Sequence, residues 1–120
     1  MNISLDYSAT YLPYKEFFDE MAKAMQKTGH KVGIIAGDRE RDPFSGEDLK
    51  EKLLANLGFK PDFCHMWGST ESIANGSIWK VEKMIQEQVL VHFDSDATQL
   101  KRYTDLWIFK VMDPGQKGKF

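Results

Sequence analysis

Residues 2–18 of the chain are NISLDYSATYLPYKEFF, and they begin a strand-then-helix pattern that continues along the sequence. A short apolar run ends on Asp6, and the hydroxyl residues Ser8 and Thr10 follow at alternating positions. Pro13 suits the first turn of a helix, and aromatic residues recur after it at helical spacing. The stretch therefore predicts a short strand that ends in a carboxylate and leads through a polar turn into a helix.

The remaining sequence continues this alternation. Predicted strands cover 3–6, 31–37, 62–67, 88–93 and 105–111, and predicted helices begin near 13, 45 and 78, with a short one around Leu100 and Tyr103. The apolar residues expected to face the core are Tyr14, Phe17, Phe18, Met21 and Met25, then Leu49, Leu53 and Leu57, then Ile78, Val81 and Ile85. Such alternation predicts an α/β fold with a parallel sheet of about five strands and helices on both faces.

Length and composition favour a single domain over residues 1–120, with a frayed tail at 113–120. The net charge is −2, so the charge balance does not indicate nucleic-acid binding. No apolar run approaches the roughly 18 residues that a membrane span needs. Cys64 is the single cysteine, which excludes an internal disulfide, and we see no secretion-type leader, so we expect a cytoplasmic protein.

The carboxyl ends of the predicted strands carry the candidate site. Parallel α/β sheets bind ligands beyond these ends, where the strand order reverses. The ends hold Asp6, then Ala36 and Gly37, and later Asp94 and Asp96. The carboxylates of Asp6, Asp94 and Asp96 are oxygen ligands that suit Mg²⁺, which usually takes one or two protein carboxylates and keeps several waters. The structural alternative is that Asp6 only begins a turn and that the acids after the fourth strand cap a helix.

Lys80 is the candidate cation at the same edge of the sheet. If its helix begins near Ile78, Lys80 lies in the first turn, where a positive charge opposes the helix dipole by roughly 0.3–1 kcal/mol. A lysine beside the acids would neutralise a phosphoryl group or the carboxylates themselves. On position alone, a solvated surface lysine is the competing interpretation.

Several other kinds of site lack support in the sequence. His30, His65 and His92 do not have metal-ligand spacing and are interpreted as structural, and Cys64 as an inert core thiol. A GxGxxG loop, a Walker loop and a GxSxG elbow are all missing. A receiver domain of two-component signalling has a similar alternation, but its third strand ends in aspartate where this chain has Trp67.

Four segments, in order, resemble the motifs of the haloacid dehalogenase-like (HAD) hydrolases. ISLDYSATYL at 3–12 is similar to the first motif, an apolar strand that ends in Asp-x-Asp-x-Thr. VGIIAG at 32–37 stands at the second motif, Lys80 resembles the lysine of the third, and VLVHFDSD at 89–96 is similar to the fourth. The resemblance covers residues 3–111. It implies a three-layer HAD-like (Rossmannoid) fold with no cap domain between the first two motifs.

The resemblance also implies a role for each matching residue. Asp6 would be the nucleophile that forms an aspartyl-phosphate. It would bind Mg²⁺ together with the backbone carbonyl of Ser8 and the side chain of Asp94, with Asp96 assisting through a water. Lys80 would hold the nucleophile and the phosphoryl group in place.

Two positions depart from the family pattern. Ser8 stands where HAD phosphatases have the aspartate that acts as general acid and base, and losing such a group costs about 10²–10⁴-fold in rate. Ala36 replaces a hydroxyl that binds phosphate, a hydrogen bond worth roughly 1–3 kcal/mol, which leaves the backbone N–H groups near Gly37 for that contact. The P-type ATPases, distant relatives, have Thr at the position of Ser8 and form a longer-lived phosphoenzyme.

Two hypotheses of function follow. The first is a Mg²⁺-dependent phosphohydrolase or phosphotransferase that acts through Asp6 and is weakened or specialised by Ser8 and Ala36. Because a capless site is open, its phosphorylated substrate is expected to be large, such as a macromolecule or a nucleic-acid end. The second is a catalytically inactive binding or regulatory module, a pseudoenzyme, that keeps the fold.

Overall fold

Strands and helices alternate along the chain in the computed structural model, which describes residues 1–37, 46–67, 73–95 and 110–112. The strands are β1 (Asn2–Leu5), β2 (Lys31–Gly37), β3 (Cys64–Trp67), β4 (Val89–Phe93) and the three-residue β5 (Lys110–Met112). The helices are α1 (Lys15–Lys27), α2 (Gly46–Asn56) and α3 (Ile73–Gln86). A π-helical turn (Tyr7–Tyr11) and a 3-10 turn (Leu12–Tyr14) connect β1 to α1.

The strands pair in parallel in the order β3-β2-β1-β4-β5. The chain adds β2 and β3 on one side of β1 and then places β4 on the other side. Strand order therefore reverses between β1 and β4, which is where α/β sheets bind ligands. Leu5 pairs with Phe93, so the next residues, Asp6 and Asp94, lie level with each other at the carboxyl edge.

Apolar side chains pack against both faces of the sheet. The larger core lies on the face that α1 and α2 cover, and the smaller core lies on the α3 face. The larger core contains Ile3, Leu5, Phe18, Ala22, Val32, Ile34 and Leu53, and the smaller contains Ile35, Met84 and Val89. The prediction of an α/β fold with a parallel sheet is confirmed. Within the described stretches, no helix is both long enough and apolar enough to cross a membrane.

Helix α1 buries a narrower stripe than the sequence predicts. Phe18 and Ala22 are fully buried, whereas Phe17 is 58% exposed, so the prediction that Phe17 faces the core is wrong. Successive helical residues point about 100° apart, and here Phe18 is the one that faces the sheet. Pro13 lies in the 3-10 turn that precedes α1, and Gly29, with a φ of +89°, follows the end of the helix as predicted.

Helix α3 begins earlier than predicted, at Ile73 rather than near Ile78. The residues between them include Asn, Gly and Ser, which disfavour helix by up to about 1 kcal/mol each and therefore resemble a loop in the sequence. Lys80 is consequently in the third turn, away from the helix N-terminus. Lys80 and Met84 face inward, while Ile85 is 54% exposed, so its predicted core position is wrong.

Some predictions concern residues outside the described stretches. These are the helix N-cap at Ser45, the short helix around Leu100 and Tyr103, residues 105–109 of the last predicted strand, the tail at 113–120, and the predicted metal ligand Asp96. The predicted core positions of the Leu49 and Ile78 side chains also lie outside what the structure describes.

Candidate functional site

Lys80 connects two acids at the carboxyl edge of the sheet. Its ammonium group donates to Asp6 Oδ1 at 2.8 Å and to Asp94 Oδ2 at 3.0 Å. We call these three residues the acid–lysine cluster. The cluster is buried, with exposures of 2% for Lys80, 7% for Asp6 and zero for Asp94. The structure thus brings together residues from three separate elements, and the interpretation of Lys80 as a solvated surface lysine is wrong.

The π-helical turn after β1 shapes the surroundings of Asp6. The Asp6 backbone is extended, with φ −71° and ψ 157°, and the Tyr11 N–H donates back to the Asp6 carbonyl at 3.2 Å. The turn brings the buried Thr10 hydroxyl within 3.3 Å of Asp6 Oδ2 and 3.2 Å of Ser95 Oγ. Asp6 makes no side-chain capping bond to the turn. Its carboxylate is therefore held by Thr10 and Lys80, contrary to the alternative in which Asp6 only begins a turn.

A second layer of polar side chains lies beneath the acids. Ser4 and His92 are register partners on β1 and β4, each two residues before an aspartate of the acid–lysine cluster. Because side chains alternate along a strand, all four face the same side of the sheet. Ser4 Oγ lies 2.7 Å from His92 Nδ1, and His92 Nε2 lies 3.1 Å from Asp94 Oδ2. Both residues are fully buried.

Burial and charge oppose each other at the two basic side chains of the site. Burial lowers the pKa of Lys80, but Asp6 and Asp94 outweigh this effect and leave the pKa raised, so Lys80 is charged at neutral pH. At His92 burial dominates and lowers the pKa, and the hydrogen bond with Asp94 opposes it only in part, so the imidazole is neutral. A carboxylate only accepts hydrogen bonds. The network therefore assigns the proton to Nε2, which donates to Asp94, while Nδ1 accepts from the Ser4 hydroxyl.

Ser4, His92 and Asp94 are the residue types of a serine-hydrolase triad, yet they do not form a nucleophilic site. All three have zero exposure, and Ser4 lies within β1 with a neighbouring strand on each side. A triad serine must reach the carbonyl carbon of a substrate. Because no substrate can reach this hydroxyl, the row of side chains supports the acids instead of carrying out acyl transfer.

Three further predicted site residues, Ser8, Ala36 and Gly37, lie at or near the same edge of the sheet. Ser8 is exposed in the π-helical turn, two residues beyond Asp6. Ala36 is fully buried in the larger core, so the side chain at the position of the second-motif hydroxyl packs with apolar residues. Gly37 is the last residue of β2 and pairs with Trp67 of β3.

The two aspartates offer the ligand type that Mg²⁺ prefers. Magnesium usually binds through one or two carboxylates and several waters. Two carboxylates face one ammonium in the acid–lysine cluster, which formally leaves one negative charge on these three side chains. Among the described residues, no group of three or more His, Cys, Asp or Glu could hold a metal ion. A magnesium site here therefore needs waters or backbone oxygens beside Asp6 and Asp94.

Comparison with known proteins assigns no family. No family model, curated protein or solved structure matches this chain. The geometry of the acid–lysine cluster and of its supporting side chains is therefore the basis for inferring what the protein does.

Three residues of the site carry no assigned role in the sequence analysis. Thr10 stands at the position of the threonine in the Asp-x-Asp-x-Thr pattern that residues 6–10 resemble, so that resemblance already contains the signal for it. Ser4 and His92 are less apparent, because His92 appears as a structural histidine when it is considered alone. Their signal is the shared spacing, since each lies two residues before an acid and strand alternation places it on the same face.

Proposed function

We propose that this chain is a small HAD-like domain that transfers phosphoryl groups with Mg²⁺, using Asp6 as its nucleophile. The observation that supports this most directly is the buried contact of Lys80 with both Asp6 and Asp94, at the point where the strand order reverses. The three-layer, five-stranded HAD arrangement is part of the proposal.

In the first step, the Asp6 carboxylate attacks the phosphorus of a phosphate monoester. The bond from the Asp6 oxygen to phosphorus forms as the bond to the leaving oxygen breaks, and the leaving oxygen takes a proton from water. Lys80 orients the carboxylate, and its charge offsets the charge of the phosphoryl group. Thr10, close to Asp6 Oδ2, holds the second carboxylate oxygen.

In the second step, the oxygen of a water molecule bonds to the same phosphorus as the bond to Asp6 breaks. Inorganic phosphate leaves, the proton of the attacking water passes to solvent or phosphate, and Asp6 returns to its carboxylate form. This step depends most on a general base. Ser8 occupies the position of that base in the family pattern, so we propose that the aspartyl-phosphate breaks down slowly.

Asp6 and Asp94 would hold Mg²⁺, with the Ser8 carbonyl as a third protein ligand and Asp96 assisting. When bound, the ion supplies positive charge that polarises the phosphoryl oxygens. Backbone N–H groups near Ala36 and Gly37 would bind the phosphate, because the Ala36 side chain packs into the core.

The substrate class follows from the connection between β1 and β2. This connection consists of two short turns and α1, so a cap domain is not inserted there. A site with no cap domain at this connection suits a large phosphorylated substrate such as a macromolecule, as the family resemblance implies.

The alternative function is a catalytically inactive binding or regulatory module. The burial of the cluster favours it, because Asp6 is only 7% exposed and Lys80 contacts both carboxylates. In that case the ion pairs hold β1, β4 and α3 together and no phosphoryl group enters the site.

Beryllium fluoride tests the site directly, since it mimics a phosphoryl group on a carboxylate. We expect Mg²⁺ and beryllium fluoride together to raise the melting temperature more than either alone, and Asp6→Asn to abolish the increase. Wild-type protein should also hydrolyse p-nitrophenyl phosphate with Mg²⁺, and Asp6→Asn should not. Asp62→Asn is the matched control, because Asp62 contacts Val32 near the amino end of β2. A wild-type chain with neither stabilisation nor hydrolysis would support the inactive module.

A further inference from the structure

The polar layer beneath the acids is the feature of the α3-facing side that phosphoryl transfer leaves unexplained. Ser4 and His92 have zero exposure, and each occupies a position that an apolar residue would fill more easily. Burying a hydroxyl or an imidazole costs free energy unless the group is hydrogen-bonded. On the opposite face of the same two strands, Leu5 and Phe93 pack in the apolar core. The polar pair therefore has a local reason to be there.

The hydrogen bonds of this pair run in one direction, towards Asp94. Because the Asp94 carboxylate only accepts, the ring proton of His92 is on Nε2, and the Ser4 hydroxyl donates to Nδ1 at 2.7 Å. Nε2–H then donates to Asp94 Oδ2 at 3.1 Å, the same oxygen that accepts from Lys80 at 3.0 Å. Two donors from different elements, β4 and α3, converge on one oxygen. Together they fix the plane of the carboxylate.

We propose that His92, itself oriented by Ser4, is a positioning residue that holds the Asp94 carboxylate in the orientation needed to bind Mg²⁺. The inference rests on the magnesium site of the proposed function. Groups that orient metal ligands in this way typically change metal affinity by about 10–100-fold when they are removed. The ring acts on the site through its hydrogen bond to Asp94.

The test is the affinity of the purified full chain for Mg²⁺ alone, measured by calorimetric titration after the metal has been removed with a chelator. We expect His92→Leu to weaken Mg²⁺ binding about 10–100-fold. His92→Gln retains an amide N–H that can reach Asp94, and we expect it to bind within a few-fold of wild type. Ser4→Ala keeps the ring but loses the hydroxyl that holds it at Nδ1, and we expect an intermediate loss.

Val89→Ala is the control for loss of packing, because Val89 lies on β4 in the smaller core and five residues before Asp94. It should lower the melting temperature without changing the affinity for Mg²⁺. Circular dichroism shows whether each variant is folded at the temperature of the titration. If His92→Leu does not fold, the affinities of Ser4→Ala and His92→Gln for Mg²⁺ still test the positioning role. Ser4→Ala only removes a hydroxyl, and His92→Gln keeps a polar side chain in place of the ring.

The outcomes separate this inference from the proposed function. Wild-type protein that binds Mg²⁺ while His92→Leu and Ser4→Ala bind it equally well overturns the positioning role and leaves the metal site standing. The same conclusion follows if His92→Gln loses as much affinity as His92→Leu, because then the shape of the ring and not its hydrogen bond matters. Wild-type protein that binds no Mg²⁺ overturns the metal site, and this inference with it.

Discussion

Lys80 Nζ lies 2.8 Å from Asp6 Oδ1, although the two residues are 74 positions apart in the chain. Their side chains are only 3% and 9% exposed, and Asp94, the second acid that Lys80 contacts, is fully buried. A buried pair of this kind has lost its water, so each partner depends on the other for compensation. The Lys80–Asp6 contact is therefore expected to contribute to folding stability as well as to the proposed phosphoryl transfer.

Removing the Lys80 ammonium should destabilise the fold strongly. Lys80→Met keeps much of the side-chain volume but leaves two buried carboxylates without their cation. Breaking a buried pair in this way costs about 3–5 kcal/mol. Urea unfolding in the presence of a chelator measures this loss without any contribution from bound metal.

Lys83→Met provides the matched control on the same helix. Lys83 lies 5.8 Å from the centre of the Trp79 ring and makes an exposed hydrogen bond to Gln86. Exposed interactions of this kind contribute about 0.5–1 kcal/mol. Equal losses of stability for Lys80→Met and Lys83→Met would contradict the buried ion pairs.

The convergence of Asp6, Lys80 and Asp94 could be predicted from the sequence because parallel strands end at one edge. Two apolar runs, predicted as parallel strands, end in Asp6 and Asp94, so the two acids are expected at one edge of the sheet. A helix that follows a parallel strand begins at the same edge, which places Lys80 near them. The burial of Lys80 could not be predicted. It depends on α3 beginning at Ile73, and the Asn, Gly and Ser residues of its first turns conceal that start.

A second set of polar contacts, around Asp19 on α1, should make stability depend on pH at the acid end. Burial raises the pKa of Asp19, but hydrogen bonds from Lys15 and Tyr11 and from the Gly58 N–H outweigh it and leave the pKa lowered. A lowered pKa means that the unfolded chain takes up the proton first as the pH falls. The Asp19 charge therefore stabilises the fold at pH values above 3.8, the ordinary pKa of an aspartate. This stabilisation is lost as the pH falls through the lower pKa that Asp19 has in the folded state.

Asp19→Asn tests that assignment. We expect the variant to be less stable than wild type at pH 7 and the difference to shrink as the pH falls below about 4. Urea midpoints between pH 7 and pH 2.5 give the comparison. A difference that stays constant over that range would show that the Asp19 charge does not stabilise the fold. Glu20→Gln, at an exposed neighbouring position, should show no such trend.

Two adjacent phenylalanines on α1 should respond very differently to truncation. Phe18 is fully buried and its ring packs edge-on against Phe93 at 5.4 Å between centroids, whereas Phe17 is 58% exposed. Truncating a buried phenylalanine costs about 3–5 kcal/mol, and surface changes stay within about 0.5 kcal/mol. Phe18→Ala should therefore lower the urea midpoint sharply, and Phe17→Ala only slightly. Similar effects for the two variants would mean that α1 is rotated relative to the sheet.

The Phe17 result also shows where sequence periodicity is insufficient. Phe17 and Phe18 both lie at helical spacing from Met21, so the sequence does not distinguish them. Only the packing against Phe93 decides which ring faces the sheet. The contact between Ser4 and His92 has the same limitation. Alternation places the side chains of His92 and Asp94 on one side of the sheet, but the partner of His92 on β1 depends on a register that the strand sequences do not specify.

Ser8→Asp should increase phosphoryl-transfer activity. Ser8 is exposed in the π-helical turn, two residues beyond Asp6, the nucleophile of the proposed function, and a carboxylate there would supply the general acid and base that this function lacks. General acid–base groups contribute about 10²–10⁴-fold, and we expect a gain of at least about tenfold in p-nitrophenyl phosphate hydrolysis with Mg²⁺. Ser8→Asn has nearly the same shape but transfers no proton at neutral pH, so it should stay at the wild-type rate. If the Asp and Asn variants have equal rates, the turn does not direct residue 8 towards the reacting phosphate, and the slow step has another cause.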